Sequence, residues 1–266
     1  MITGNILRQI RKETFKASHQ YEEKFVQIAQ NAAEDGRPYY ANMTNSAVQD
    51  TYRYLCRFSA SVARLNTGKE PPEIKILDWG GGKGMATYFL EQLGFNVTLY
   101  ETDQFPHDDY WKTYSMKVKT SDGKKLPFKD NQFDIIVGFG VLEHVPYEDD
   151  ALKEINRVLK NDGLFLCFNL PSKYGLLHYI TAWRGVQYHD RLYSANEIRW
   201  LLKRAGFNIV GRSWRRQVFP KNAVHYHNPA FWEKIDLWLC RYTPVRYFAT
   251  SLEFVARKQY TYTSIH

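Results

Sequence analysis

Between Ile74 and Asp103 the chain reads IKILDWGGGKGMATYFLEQLGFNVTLYETD, with Gly80, Gly82 and Gly84 spaced at two residues. Glycines at that spacing let a backbone approach a ligand closely and then turn into a helix. Asp78, just ahead of them, is placed to accept from an ammonium or to order the turn. Glu101 lies 23 residues after Asp78, at the end of the next apolar run. A carboxylate there accepts both hydroxyls of a ribose; the competing readings are Asp103 in that role, or a plain solvated strand end. The stretch thus offers a helix N-terminus and a carboxylate to a nucleoside-bearing ligand. A dinucleotide fingerprint, Gly-x-Gly-x-x-Gly, needs glycine at 85 or 87, where Met85 and Thr87 stand. A nicotinamide cofactor is disfavoured on that count.

Histidine supplies the other chemistry. His144 follows the apolar run FDIIVGF (133–139), where it either takes a proton from a reacting hydroxyl or orders a turn through the backbone. General-base assistance of that kind contributes about 10²–10⁴-fold. His178 and His189 are weaker substrate-side candidates. His225 and His227, in VHYH, share a face if extended, but no acid lies beside them and two histidines alone are poor support for a metal. No metal is expected. Cys56, Cys167 and Cys240 are far apart and odd in number, with neither a disulfide framework nor zinc spacing. A reducing compartment follows, with Cys167 buried in its apolar run.

The elements that must position these residues alternate strand and helix. Strands are expected at 74–79, 96–101, near 116–120, 133–139 and 163–170, then at 207–214 and 248–258. The unbroken apolar run 133–139 is the mark of a strand buried on both faces of a parallel sheet. Helices are expected at 84–93, after Pro146 (Leu152, Ile155, Val158 and Leu159 on one side, Gly163 as the stop), and at 195–205. Ser194 with Glu197, and Ser46 with Gln49, have the form of capping boxes. From Ser46, residues Val48, Tyr52, Leu55, Phe58 or Ser59, Val62 and Leu65 mark one helical face that should pack on the sheet. Repeated βα units predict an α/β, doubly wound, mostly parallel sheet. An N-terminal helical cap over 1–73 is expected ahead of a core over 74–266, with an aromatic and basic insert at about 215–246.

In this order the motifs resemble those of the class I S-adenosylmethionine-dependent methyltransferases of the broad small-molecule type, over roughly 74–211. Asp78-x-Gly80-x-Gly82-x-Gly84 is similar to that family's first motif, and Glu101 to its ribose-binding acid. SDGKKLPFKDNQFDIIVGFGVLEHV is similar to its next block. The resemblance implies a Rossmann-like seven-stranded sheet and S-adenosylmethionine as cofactor. It puts Asp122 and Gly123 at the adenine ring, Gly138 and Phe139 near the methionine part, and Glu143-His144-Val145 in a short helix beside the methyl group. It also implies that His189 belongs to the loop before the 195–205 helix, facing the acceptor or locking that loop. The mechanism implied is in-line displacement, in which the protein aligns acceptor and methyl and excludes water. Tyr39 and Tyr40, ahead of the core, are candidates for contact with cofactor or acceptor.

Net charge is +8, and residues 196–266 carry all of it, with 12 Lys and Arg against 4 Asp and Glu. A basic, aromatic C-terminal quarter fits a small-molecule, sugar or lipid-linked acceptor carrying negative charge, or peripheral contact with an anionic membrane. The bases form no dense run and no RNA-binding module is visible, so a nucleic-acid partner is not expected. RNA methylation and a non-catalytic S-adenosylmethionine-binding role remain the alternatives. With neither a signal-peptide pattern nor an apolar run of about 18 residues, a soluble, cytoplasmic protein is expected. A hydroxyl on a small molecule is the expected acceptor.

Overall fold

The computed structural model describes residues 2–14, 46–103, 111, 114–183, 189–211, 214–216, 235–236, 238–240 and 242–259. Tyr39, Tyr40, His225, His227 and most of the 215–246 insert lie outside them.

The strands are β1 (Lys75–Trp79), β2 (Asn96–Thr102), β3 (Val118–Ser121), β4 (Phe133–Phe139), β5 (Leu159–Pro171), β6 (Phe207–Ile209), β7 (Trp214–Arg216) and β8 (Ser251–Lys258). They form one sheet in the order β3-β2-β1-β4-β5-β8-β6, with β7 also paired to β8. Strands β1 to β5 run parallel, and β8 is antiparallel to both β5 and β6. All seven residues of β4 are buried, as expected for the centre of a doubly covered sheet.

Where one strand was expected at 207–214, two short strands pair with successive stretches of β8, Phe207–Ile209 with its end and Trp214–Arg216 with its start. The break falls at Gly211, whose φ of +85° takes the chain out of the strand conformation. There the Cα of Gly4 would lie 2.8 Å from a Cβ added to Gly211, so only glycine admits this approach. Counted by position, the sheet has seven strands with a broken edge. Strand β5 also begins earlier than expected, at Leu159, so the preceding helix ends at Val158 and not at Gly163.

The helices are α1 (Gly4–Thr14), α2 (Ser46–Thr67), α3 (Met85–Gln92), α4 (Glu148–Val158), α5 (Leu176–Trp183) and α6 (Ala195–Arg204). Helices α1, α2 and α3 share one hydrophobic cluster with Ile76, Val97, Ile135, Val137 and Leu166. Helices α4 and α6 close the other face on Leu77, Ile136, Phe165 and Phe254. In α2, Leu55, Phe58 and Val62 are buried as the spacing requires, but Leu65 is 60% exposed, so the stripe ends one turn early. The Ser194 capping box is formed: its Oγ accepts from Glu197 N, and the Glu197 carboxylate accepts from Ser194 N. Helix α5, LLHYITAW, was not anticipated. It is apolar nearly all round and carries no stripe that its period would reveal.

Candidate active site

Strand order reverses between β1 and β4, and ligands of open α/β sheets bind in the crevice beyond the carboxyl ends of strands at such a switch. One lip is the glycine turn after β1. Gly80, Gly82 and Gly84 have φ of +66°, +53° and +86°, so the two-residue spacing becomes alternate left-handed residues, which L side chains adopt only at a cost. The turn is also crowded. A Cβ on Gly80 would sit 2.5 Å from Val141 Cγ1, and one on Gly84 2.4 Å from Met116 Sδ. This is a cradle in which backbone, not side chains, meets whatever enters.

Two acids frame the turn at different depths. Glu101 is half-buried, and its Oε2 accepts from Gly82 N (3.0 Å) while Oε1 accepts from Thr102 N (2.8 Å). Burial raises its pKa despite those bonds. The alternative acid, Asp103, lies exposed at the strand end. Asp78 is buried below the turn, where its Oδ2 accepts from Thr87 N (3.0 Å) and Thr87 Oγ1 (2.7 Å) in the first turn of α3. It therefore holds the helix start against the glycines, and burial lifts its carboxyl from the ordinary 3.8 to about 7. From above, Trp111 donates its indole N–H to Gly82 O (2.9 Å).

Asp122 and Gly123 stand in the exposed turn after β3. There Asp122 Oδ1 accepts from Lys124 N (3.0 Å), and Gly123 has φ +83°. Helix α4 clamps the loop that follows. Arg157 donates to Leu126 O, Phe128 O and Asp130, and Glu154 accepts from Leu126 N. Arg157→Ala is expected to cost about 2 kcal/mol of stability, since several bonds to a charged group are lost at once. The same variant frees the loop carrying Asp122, so urea midpoint and cofactor affinity should fall together.

Gly138 lies inside β4, where a Cβ would meet the Trp79 ring at 3.1 Å. Phe139 ends the strand and stacks on Tyr52 of α2, with centroids 5.0 Å apart and planes 18° apart. Burial raises the pKa of Tyr52, and the charges of Asp78 and Glu143 add to the rise. Helix α2 thus places a phenol between the two lips of the crevice. Its spacing alone marked Tyr52 only as a packing residue.

The second lip begins at Val141, against Gly80, and continues into a single 3-10 turn, Leu142–His144. His144 Nδ1 lies 2.9 Å from Asp190 Oδ2. Glu143 is 1% exposed, with its Oε1 3.7 Å from His189 Nδ1 and 3.9 Å from His144 Nε2. Burial raises the Glu143 carboxyl to about 7. Burial, then the charges of His178 and His144, lowers His189 to about 4, so the ring is neutral in the physiological range. His178 packs edge-on against His189 (5.1 Å) and its Nε2 lies 3.1 Å from Thr250 O.

Residues 189–193 are laced onto this lip. Arg191 donates to Val145 O and to Pro146 O (3.0 Å), and the Tyr193 hydroxyl bonds Leu142 O (3.2 Å) and Glu148. The structure therefore brings His144, His178 and His189 together, beside Glu143, which sequence reading placed only as part of the short helix at the methyl group, and Asp190, which it did not single out. A buried acid directly before a histidine was the available signal. The sequence contains no sign that Asp190 closes on it from 46 residues away.

A family described as a methyltransferase domain matches residues 49–211, well over half of the chain. The chain is 28% identical over 180 residues to a malonyl-acyl-carrier-protein O-methyltransferase of Geobacter sulfurreducens, covering 62% of this chain and 64% of that one. It is 28% identical over 183 residues to a ubiquinone/menaquinone biosynthesis C-methyltransferase of Nitrosospira multiformis, covering 65% and 68%. Across such curated relatives the match spans between about one third and two thirds of their length. Among solved structures, a 1,6-didemethyltoxoflavin-N1-methyltransferase of Burkholderia thailandensis with bound S-adenosylhomocysteine superposes with a TM-score of 0.53. Its identity is 18%, over 92% of this chain and 93% of that one. The chain belongs to this methyltransferase-domain family, and its sheet is that of the class I S-adenosylmethionine-dependent methyltransferases.

Proposed function

We propose that the chain transfers the sulfonium methyl of S-adenosylmethionine to a hydroxyl of a small-molecule, sugar or lipid-linked acceptor. One observation carries this reading: a left-handed glycine cradle with its acid, and a proton-accepting cluster, meet across one crevice through the Gly80–Val141 contact. The cradle residues fit the cofactor, since side chains are excluded where its backbone approach is needed. Glu101, oriented by Gly82 N, takes the ribose hydroxyls; Asp122 and Gly123 flank the adenine; Gly138 and Phe139 shape the methionine end.

Bound cofactor supplies a methyl carbon already activated by its sulfonium. The chain then has to align the acceptor, exclude water and accept a proton. His144 is the group for the last task. Asp190 accepts from its Nδ1–H, which fixes the tautomer and leaves Nε2 facing the cluster with its lone pair free. Carbon acceptors are named for some relatives; a His–Asp pair at the methyl side suits any acceptor that must lose a proton, and a hydroxyl, whose proton leaves directly from the attacking atom, is the one proposed.

Helix α5, which brings His178 to the cluster, exposes Leu176, Tyr179, Ile180 and Trp183. Together with the basic C-terminal quarter this favours an apolar or lipid-linked acceptor with negative charge, met at an anionic membrane surface. Among the described residues no helix is long and apolar enough to cross a membrane. RNA methylation has no comparable feature in its favour. His144→Ala is expected to leave S-adenosylmethionine affinity within about threefold and to lower turnover at least tenfold. Incubation with methyl-labelled cofactor and fractionated lipid, metabolite and RNA pools tests the function. Label in a hydroxyl-bearing small molecule or lipid supports it; label in RNA alone, or in none of the pools, overturns it.

A further inference from the structure

We infer that Glu143, His144 and His189 bind one divalent transition-metal ion of the zinc class, and that the acceptor's oxygen completes its coordination. One ligand atom from each of the three lies within 4.8 Å of the others. Around an ion bound at 2.0–2.2 Å, tetrahedral neighbours stand about 3.3 Å apart. The 3.7 Å and 3.9 Å separations from Glu143 Oε1 therefore need about half an ångström of closure, and the two imidazole nitrogens, which stand within 4.8 Å of each other, close by up to about 1.5 Å.

Three independent features point to an ion and not to a self-contained cluster. First, Glu143 Oε2 and His189 Nδ1 are both buried without a hydrogen-bond partner. Orphaned buried groups are destabilising, more so when charged, and call for an explanation. No cation from Lys or Arg pairs with Glu143 among the described residues. Second, His144 holds Asp190 on Nδ1, the carboxylate–histidine arrangement that orients metal-bound imidazoles and strengthens them as ligands. Third, the three donors are fixed from opposite sides before any ion arrives, Glu143 and His144 by the 3-10 turn and His189 by the Arg191 and Tyr193 lacing.

The donor set selects the ion. Two imidazoles and one carboxylate suit Zn²⁺, Co²⁺ or Fe²⁺, whereas Mg²⁺ and Ca²⁺ take oxygen. The set leaves open positions, as catalytic sites do. Sequence reading pointed elsewhere, since the pair weighed for a metal was His225 and His227.

For its chemistry the inference rests on the methyl-transfer reading; for binding it does not. With the His144 lone pair taken by the ion, activation of the hydroxyl passes to the ion, which lowers the hydroxyl's pKa. The proton passes to solvent, the oxygen–methyl bond forms, and the carbon–sulfur bond breaks with its electron pair remaining on sulfur.

The test uses the full chain stripped with a chelator. Titration with Co²⁺ and Zn²⁺ should show one ion per chain, and the Co²⁺ form two paramagnetically shifted imidazole N–H resonances. Glu143→Gln and His189→Asn should each weaken binding at least tenfold, and Asp190→Asn roughly ten- to hundredfold; Mg²⁺ should not compete. Failure of the parent chain to take up a stoichiometric ion overturns the site without recourse to any variant. So does unchanged affinity in both ligand variants. S-adenosylmethionine is titrated in parallel under chelation, so loss of cofactor binding with ion uptake intact rejects the methyl-transfer reading and leaves the site standing. Turnover that survives chelation but not His144→Ala returns His144 to the role of base and overturns the ion's part.

Discussion

Gly80→Val is expected to weaken S-adenosylmethionine binding at least a hundredfold, about 2.7 kcal/mol. Two effects combine. The residue sits at φ +66°, where a β-branched side chain is strained, and its Cβ would lie 2.5 Å from Val141 Cγ1 and 2.7 Å from Cγ2. Because Val141 is itself branched and stiff, relief requires backbone movement, not a rotamer change. Movement of Val141 is carried into Glu143 and His144 two and three residues later, so both lips of the crevice shift. Gly68→Val is the matched control. It has the same φ of +66°, but a Cβ there meets nothing within 4 Å, so it bears the backbone strain without the collision. Calorimetric titration of both variants separates strain from site. Gly80→Val binding within threefold of the parent chain means that the glycine turn does not hold the cofactor.

The legibility of this molecule from sequence depended on the range of the interaction concerned. Local rules were enough where the cause was local. The two-residue glycine spacing becomes three alternate left-handed residues, the run 133–139 becomes a strand buried throughout, and Ser194 with Glu197 closes its capping box. Failures came where a distant partner decided the outcome. Strand 207–214 is broken because Gly4, some 200 residues earlier, packs on Gly211. Leu65 has the right period for the core face, yet it is left exposed in the last turn of α2. Glu143 reads as one letter of a motif until Asp190 and His189 fold over it, and Tyr52 reads as a packing residue until burial and its stack on Phe139 set it at the end of β4. Buried polar clusters are set by topology and leave no periodicity to read.

Asp78 shows how such burial becomes measurable. Its carboxyl titrates at about 7 in the folded chain against an ordinary 3.8, because burial outweighs the two bonds from Thr87. For an acid raised in this way the folded state holds the proton longer than the unfolded one. The associated stability is fully present below about pH 4 and is lost as pH rises towards 7, roughly 4 kcal/mol at about 1.4 kcal/mol per pH unit. Asp78→Asn removes this slope, so its urea midpoint should exceed that of the parent chain at pH 8 and approach it at pH 5. Ligand binding reads the same proton in the opposite sense. A cationic cofactor entering above Asp78 favours the ionised form, so affinity should improve by up to about tenfold per pH unit between 5 and 7 and then level off. Near pH 6, calorimetry in buffers of different ionisation enthalpy should count close to one proton released on binding, and Asp78→Asn should abolish most of that release. Parallel pH profiles for the two proteins, in both stability and affinity, would mean that Asp78 stays ionised beneath the turn throughout. Asp78 would then serve only the start of α3. A difference in stability without one in affinity would separate the buried charge from the cofactor, leaving Glu101 as the acid that the cofactor meets.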